Sequence, residues 1–117
     1  MLSLKKLIKI LKALADENRL RIVSLLKFKQ DLCVCEITAI IGLSQPTISS
    51  HLKKLEEAGI VSFSKDGPWV NYSLNKEMEA EVGNLINSIS HAVHADKKIK
   101  SDILKVSKVC REDICKK

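Results

Sequence analysis

The sequence predicts a mainly α-helical domain of 117 residues that carries one β-hairpin. Two observations support this fold class. Apolar residues recur every three or four positions along most of the chain, which is the spacing of amphipathic helices. Two β-rich runs, residues 60–65 and 69–74, flank Asp66-Gly67-Pro68, and an Asp-Gly pair between such runs is a hairpin signal. The expected order is therefore helices, then the hairpin, then further helices.

The chain before the hairpin divides into short helical segments. Residues 4–14 carry apolar side chains at helical spacing with lysines between them, which predicts the first helix. Asp16 is suited to cap the second helix, because its carboxylate accepts hydrogen bonds from first-turn N–H groups. Residues 28–31 are interpreted as a polar link and residues 32–41 as the third helix. Gly42 suits the left-handed position that ends such a helix.

A fourth helix follows after a tight turn. Ser44 is a good N-cap, and Pro46 in the first turn removes an N–H group that has no partner within the helix. Ile48, Leu52 and Leu55 then lie on one face at helical spacing. Two short helices joined in this way form a candidate helix-turn-helix, and the hairpin directly behind them forms a wing. The sequence therefore predicts a winged helix-turn-helix.

The remainder of the chain is predicted to be helical again. Residues 76–110 continue a pattern with a three-to-four-residue step, which Asp96 interrupts, so one or two helices are expected. We divide the chain into a DNA-binding and dimerisation domain over residues 1–95 and a C-terminal helical extension over residues 96–117. The first and last helices carry apolar faces that so small a domain does not cover, which predicts a homodimer.

Composition limits the class of partner. Lys and Arg total 20 against 14 Asp and Glu, a formal charge of +6, which favours a polyanion such as nucleic acid. The alternative is a lysine-rich surface without such a partner. The chain contains no apolar run long enough to span a bilayer, and lysines interrupt the apolar residues at its N-terminus, unlike a signal peptide. We expect a cytoplasmic protein with no membrane partner.

The outward face of the fourth helix supplies the predicted contacts with double-stranded DNA. Glutamine, threonine and serine near its start can bond base edges, whereas lysines further along can contact phosphates. The best candidates for base contacts are Gln45, Thr47 and Ser50. The full set of candidate DNA-binding residues is Gln45, Thr47, Ser49, Ser50, His51, Lys53 and Lys54, with Lys65 near the wing tip. The alternative is an ordinary helix with a polar surface.

The chain has four cysteines, Cys33, Cys35, Cys110 and Cys115. In a reducing compartment such residues are metal ligands or redox sensors more often than structural disulfides, although a single cysteine can be a small buried apolar residue. Thiolates are soft ligands that suit As(III), Cd(II), Pb(II), Cu(I) or Zn(II). Residues two apart on a helix point about 200° from each other, so Cys33 and Cys35 can share one ion only if the helix start is distorted.

Four segments in this order resemble the ArsR/SmtB family of transcriptional repressors. They are ALADENRLRIVSLL at 13–26, DLCVCEI at 31–37, GLSQPTISSHLKKLEEAGIV at 42–61 and GPWVNYSL at 67–74. The resemblance implies a homodimeric winged-helix protein that represses a detoxification or transport operon and leaves its operator when an effector binds. It favours As(III), followed by Cd(II) or Pb(II), as the effector, with no organic cofactor.

One position departs from the family pattern. Arsenic sensors of the family that use this helix commonly carry a third cysteine five positions after the first, where this chain has Thr38. A related branch that senses cadmium and lead recruits further cysteines from an N-terminal arm, and no cysteine precedes Cys33 in this sequence. Our hypothesis is that Cys110, Cys115 or both complete the site. The alternative is that these two thiols are incidental.

Three other functions are compatible with parts of the pattern. A repressor with the same fold can use its thiols to sense redox state or sulfide, and a winged helix can act without any metal. A thiol enzyme is a third alternative, but the sequence has no Cys-x-x-Cys on a βαβ unit, no paired catalytic carboxylates and no phosphate-binding glycine loop. We therefore expect a DNA-binding protein and not an enzyme.

Overall fold

The computed structural model describes residues 2–109 and confirms the mainly helical architecture with a hairpin. Helices α1 to α4 precede the hairpin, and α5 and α6 follow it. The helices are α1 Leu4–Leu14, α2 Glu17–Phe28, α3 Val34–Ile41, α4 Gln45–Glu57, α5 Ala80–Val93 and α6 Lys97–Val106, and the strands are β1 Leu32–Cys33, β2 Val61–Asp66 and β3 Trp69–Leu74. None of the helices between residues 2 and 109 combines the length and apolar character that a bilayer crossing requires.

The turn between α3 and α4 forms as its residue types predict. Gly42 ends α3 with φ at 84°, a left-handed conformation that costs glycine little because it has no Cβ. Ser44 caps α4, and its Oγ accepts a hydrogen bond from the N–H of Thr47. The two helices of the helix-turn-helix are thus joined by a turn of three residues.

The third helix begins later than the sequence predicted. We expected it to span residues 32–41, but Leu32 and Cys33 form β1, and α3 starts at Val34. Strand β1 pairs with β3, so the sheet has three strands in the order β1-β3-β2, and Cys33 lies opposite Asn71. The periodicity of a short apolar run does not distinguish a strand from a helix. Here the run is a strand because it pairs with β3, which lies far away in the sequence.

The C-terminal helical region is broken where the sequence predicted an interruption. Asp96 caps α6, since its carboxylate accepts hydrogen bonds from the N–H groups of Lys98 and Ile99. We expected helix from residue 76, but residues 76–79 form a turn and α5 runs from Ala80 to Val93. The described part of this region therefore contains two helices, α5 and α6.

One hydrophobic core joins the helices and the sheet. Its central side chains come from α1 to α5, from β1 and from the residue before β2, and they are aliphatic, as a chain with few aromatic residues requires. The largest fully buried ones are Ile10, Ile22, Leu25, Leu26, Leu32, Ile37, Ile40, Ile48, Leu52, Leu55, Ile60 and Ile86.

A buried ion pair attaches α6 to the helix-turn-helix. Both nitrogens at one edge of the Arg21 guanidinium donate to Asp102 at 2.9 Å, and one of them also donates to the carbonyl of Ile41 at 3.0 Å. Hydrogen bonding to Asp102 raises the pKa of Arg21 further above its ordinary value. Because Ile41 ends α3, this network joins α2, α3 and α6 beside the turn. The division into residues 1–95 and 96–117 stays a prediction.

We expect Asp102→Asn to lower the free energy of unfolding by about 3 kcal/mol, because it leaves the buried Arg21 charge without its carboxylate. Glu17→Gln is the matched control, since it breaks the Lys98–Glu17 pair at 2.8 Å, whose side chains are 61% and 65% exposed. That change should cost less than about 1 kcal/mol. Urea unfolding followed by circular dichroism measures both, and equal costs would contradict a structural role for the buried pair.

Candidate functional site

The exposed face of α4 carries the residues that the sequence selected for DNA contacts. Ile48, Leu52 and Leu55 are fully buried, which directs the opposite side of the helix to solvent. The exposed side chains are Gln45, Thr47, Ser49, Ser50, Lys53 and Lys54. The structure therefore brings these predicted residues together on one surface, as a helix entering the major groove requires. Their contacts with DNA stay a prediction.

Two of the predicted side chains already have partners within the fold. The hydroxyl groups of Thr47 and Ser44 lie 2.8 Å apart at the start of α4, so Thr47 also takes part in the helix cap. His51 is only 14% exposed, and its Nδ1 lies 3.2 Å from Arg19 Nη1 and 4.0 Å from an oxygen of Asp16. His51 therefore links α4 to the start of α2.

Asp16 supports this link as the N-cap of α2. Its Oδ2 accepts hydrogen bonds from the N–H groups of Asn18 and Arg19 at 2.9 and 3.0 Å. Burial acts to raise the pKa of Asp16, but those bonds and the charges of Arg19 and His51 outweigh burial and hold it below its ordinary value. The carboxylate thus stays ionised and fixes the beginning of α2 against α4.

Lys65 lies on the wing, as the sequence predicted. It is exposed in β2 opposite Val70, two residues before the turn between β2 and β3. Phe63 and Tyr72 pack against each other nearer the base of the hairpin, with ring centroids 5.8 Å apart. This contact supports the strands that carry Lys65.

A cluster of basic residues beside α4 was missed by the sequence reasoning. Lys9 and Lys12 of α1, Arg19 of α2 and Lys54 of α4 line one shallow cavity of about 210 Å³, together with Glu57. We call these four cationic residues the basic cluster. The sequence signal was the pair of lysines three apart on α1, but they were interpreted only as polar residues between apolar ones. The packing of α1 on α4 places them next to the predicted DNA surface.

The cysteine pair occupies the junction between β1 and α3. Cys33 is 1% exposed and is the N-cap of α3. Its side chain accepts from the N–H of Glu36, while the Glu36 carboxylate accepts from the N–H of Cys33 at 2.9 Å, which completes a capping box. Cys35, in the first turn of α3, is disulfide-bonded. The two predicted ligands are therefore close in sequence but differ in chemical state: Cys33 carries a thiol, and Cys35 is in a disulfide.

Thiolate sulfur is suitable for a soft ion, but this conformation offers no complete ligand set. Among residues 2–109, no group of three or more His, Cys, Asp or Glu side chains is arranged to hold a metal ion. Cys110 and Cys115 lie outside the described residues. Of the four predicted ligands, only Cys33 and Cys35 are placed, and binding through both requires reduction of Cys35.

Comparisons with known proteins agree with this geometry. The family model described as bacterial regulatory protein, arsR family, matches residues 16–62, which include α2, α3 and α4. These are the segments that form the helix-turn-helix and carry Cys33 and Cys35.

Characterised relatives resemble a large part of the chain. The arsenic resistance transcriptional regulator ArsR1 of Pseudomonas putida is 41% identical over 71% of this chain and 65% of its own length. The arsenical resistance operon repressor of Escherichia coli is 42% identical over 68% of each chain. The cadmium resistance regulatory protein CadC of Listeria innocua is 49% identical over 52% of this chain and 51% of its own. The chain thus spans between half and about two thirds of these relatives.

Solved structures show the same fold. Reduced HlyU from Vibrio cholerae has a TM-score of 0.66 and 33% identity over 79% of this chain and 92% of that one. The homodimeric winged helix-turn-helix DNA-binding domain Mb0332 from Mycobacterium bovis has a TM-score of 0.67 and 26% identity over 80% and 83% of the two chains. The winged helix-turn-helix prediction is confirmed, and this fold and family are those of DNA-binding regulators rather than enzymes.

We expect the basic cluster to contact DNA phosphates, so the double variant Lys9→Gln/Lys12→Gln should weaken binding most at low salt. A plot of log binding constant against log salt concentration has a negative slope, whose magnitude falls by about 0.9 for each lost phosphate contact. The double variant loses two contacts, so the magnitude of its slope should be smaller by about 2. Fluorescence anisotropy with a labelled duplex of arbitrary sequence measures the slope, because phosphate contacts do not depend on base sequence.

The matched control is Lys97→Gln/Lys100→Gln, which removes the same charge from the exposed surface of α6. If both double variants reduce the slope equally, net charge alone explains the effect and the basic cluster is not a contact surface.

Proposed function

This chain belongs to the arsR family of bacterial regulatory proteins, and we propose that it is a transcriptional repressor that binds operator DNA as a homodimer and releases it when a soft ion binds its cysteine thiolates. The single observation that carries the proposal is the position of Cys33. Its side chain caps α3, which ends at the turn that leads directly into the exposed face of α4. A reaction at this sulfur therefore acts on the helix that precedes the DNA-reading helix.

The DNA contacts follow from the exposed surface of α4 and the wing. Gln45 and Ser50 lie within the first two turns of α4, which is the part of a recognition helix that approaches base edges. Lys53, Lys65 and the basic cluster supply positive charge beside them, and such charge binds phosphates by releasing counterions.

Dimerisation is supported by the exposed apolar face of α1. Leu4, Ile8 and Leu11 are 76%, 42% and 41% exposed and lie at helical spacing. A row of apolar side chains in water is unfavourable, and burial against a second copy removes it from solvent. A homodimer also presents two copies of α4 to two half-sites, which is how winged helix-turn-helix dimers reach successive major grooves.

The proposed switch is a competition for the Cys33 sulfur. In the described conformation this sulfur accepts the N–H of Glu36 and stabilises the first turn of α3. An ion held by both Cys33 and Cys35 draws the Cys33 sulfur away from the N–H of Glu36, and the loss of an oxygen cap, a stronger acceptor than sulfur, weakens a helix by about 1 kcal/mol. Helix α3 packs against α4, so a loosened α3 no longer holds α4 in the orientation that DNA binding needs.

The effector class follows from the sulfur ligands and from the named functions of the relatives. We propose As(III), or Cd(II) or Pb(II), because thiolates prefer soft ions and the relatives are arsenic and cadmium resistance regulators. Binding uses the reduced protein, in which both Cys33 and Cys35 carry thiols. Cys110 or Cys115 remains our proposed source of an additional sulfur.

A redox response is the second candidate, favoured by one observation. Cys35 is disulfide-bonded and lies in the first turn of α3. We infer that forming or breaking this bond alters that turn without any ion. In this alternative, an oxidant forms the disulfide from two thiols, and reduction by a dithiol restores them. DNA affinity would then depend on the oxidation state of Cys35.

We expect one arsenite or Cd(II) per site to weaken DNA binding by at least about tenfold in the reduced wild type and to leave Cys33→Ser unaffected. Serine is a good N-cap, so this variant keeps α3 capped and removes only the thiol. Fluorescence anisotropy on DNA from the chain's own upstream region, in phosphine reductant, measures the response. Ala39→Ser, at an exposed position of α3, is the control.

The same assay separates the two candidates. Release by an ion in reductant, lost in Cys33→Ser, supports the metal response. If no ion releases DNA but an oxidant does, and Cys35→Ser abolishes that effect, the redox response replaces it. If neither treatment changes DNA affinity, both candidates are wrong.

The double variant Ile8→Glu/Leu11→Glu should be monomeric, because two carboxylates on the apolar face of α1 oppose burial between copies. Sedimentation velocity at micromolar concentration gives the oligomeric state, and DNA affinity should fall with it. Ser101→Glu, at an exposed polar position of α6, is the control and should remain dimeric. A monomeric wild type, or a dimeric double variant, would contradict this interface.

A further inference from the structure

Asn71, in the middle of the sheet, has a polar atom that the fold leaves unsatisfied. Its side chain is 6% exposed, and its Oδ1 has no hydrogen-bond partner among residues 2–109. A buried carbonyl oxygen without a donor destabilises the folded state, so its retention calls for a physical reason. A positively charged ligand is one group that satisfies such an oxygen.

The strand register places Asn71 beside the Cys33 thiol. Cys33 of β1 and Asn71 of β3 are directly paired, and Ser64 of β2 pairs with Asn71 on its other side. Side chains of paired residues in antiparallel strands lie on the same face, with Cβ atoms about 5 Å apart. A sulfur and an amide oxygen at that separation are close enough to bind one ion between them.

An opening to solvent lies next to this pair. A cleft of about 360 Å³ is lined by Asn71 and by polar side chains of the same sheet, including Ser64 and Ser73. Asn71 lines this cleft, and the buried Cys33 is its partner on the neighbouring strand.

We propose that Oδ1 of Asn71 is an oxygen ligand that completes the Cys33 site for a divalent ion, Cd(II) or Pb(II), and not for As(III). This inference rests on the proposed function and selects between its effectors. Divalent ions of this class accept oxygen ligands together with sulfur, whereas trivalent arsenic is held through its bonds to thiolates. An amide oxygen beside one thiolate therefore favours the divalent ion.

Direct metal binding tests the proposal without DNA. The full chain, reduced with a phosphine and free of metal, is titrated with Cd(II) in competition with a chelator, following the sulfur-to-cadmium charge-transfer absorption. Asn71→Leu should weaken Cd(II) binding by at least about tenfold and change arsenite binding by less than about twofold, since the latter uses sulfur alone. Ser64→Ala, the other neighbour of Asn71 in the sheet, should change neither.

The metal-free protein supplies an independent measurement. Because leucine replaces an unsatisfied oxygen by an apolar group of similar size, Asn71→Leu should unfold at a urea concentration no lower than the wild type does. Asn71→Val, which suits a strand, serves if the leucine variant does not fold. Equal losses of cadmium and arsenite affinity would overturn the proposal, because they indicate a general packing defect.

The outcomes separate this inference from the proposed function. If Cys33→Ser removes the cadmium absorption and Asn71→Leu leaves the affinity unchanged, the thiol site stands and Asn71 is not a ligand. If the absorption survives in Cys33→Ser, or is absent from the wild type, the thiol site itself is wrong and this inference falls with it.

Discussion

The burial of one face of α4 is the constraint on which the rest of the structure depends. Ile48, Leu52 and Leu55 are fully buried, and together they fix the rotation of the helix about its axis. That rotation directs the polar side chains to solvent as one surface. The same packing brings Lys9 and Lys12 of α1 next to Lys54, so positive charge from a distant segment joins the α4 surface. The burial of these apolar side chains thereby determines which surface of the protein is available to contact DNA.

Polar contacts connect the helix-turn-helix to the helices around it. Arg21 connects Asp102 of α6 with the last residue of α3, and His51 connects α4 with Arg19 and Asp16 at the start of α2. The Arg21–Asp102 pair is buried, and buried charges are stable only when they are paired in good geometry, so this pair restricts how α2, α3 and α6 move relative to one another. The orientation of α4 is therefore coupled to α2 and α6 as well as to α3.

Cys33 combines three roles that most residues keep separate. It ends β1, caps α3 and carries a buried thiol opposite Asn71. Serine or aspartate would be a better N-cap, and an apolar residue would be a better neighbour for the buried sheet. Proteins violate such local preferences mainly at functional sites, where the chemistry of a side chain matters more than its contribution to stability. The unsatisfied oxygen of Asn71 beside it is a second departure of the same kind.

The sequence by itself determined the helices around their caps, the hairpin at Asp66-Gly67 and the exposed face of α4, because those features depend on residues within a few positions of each other. The tertiary structure decided the rest. It converted Leu32 and Cys33 from a helix start into a strand, brought Lys9 to the α4 surface and set Asn71 beside Cys33. Each of these depends on contacts between segments far apart in the chain, and periodicity within one segment carries no information about which distant segment will pack against it.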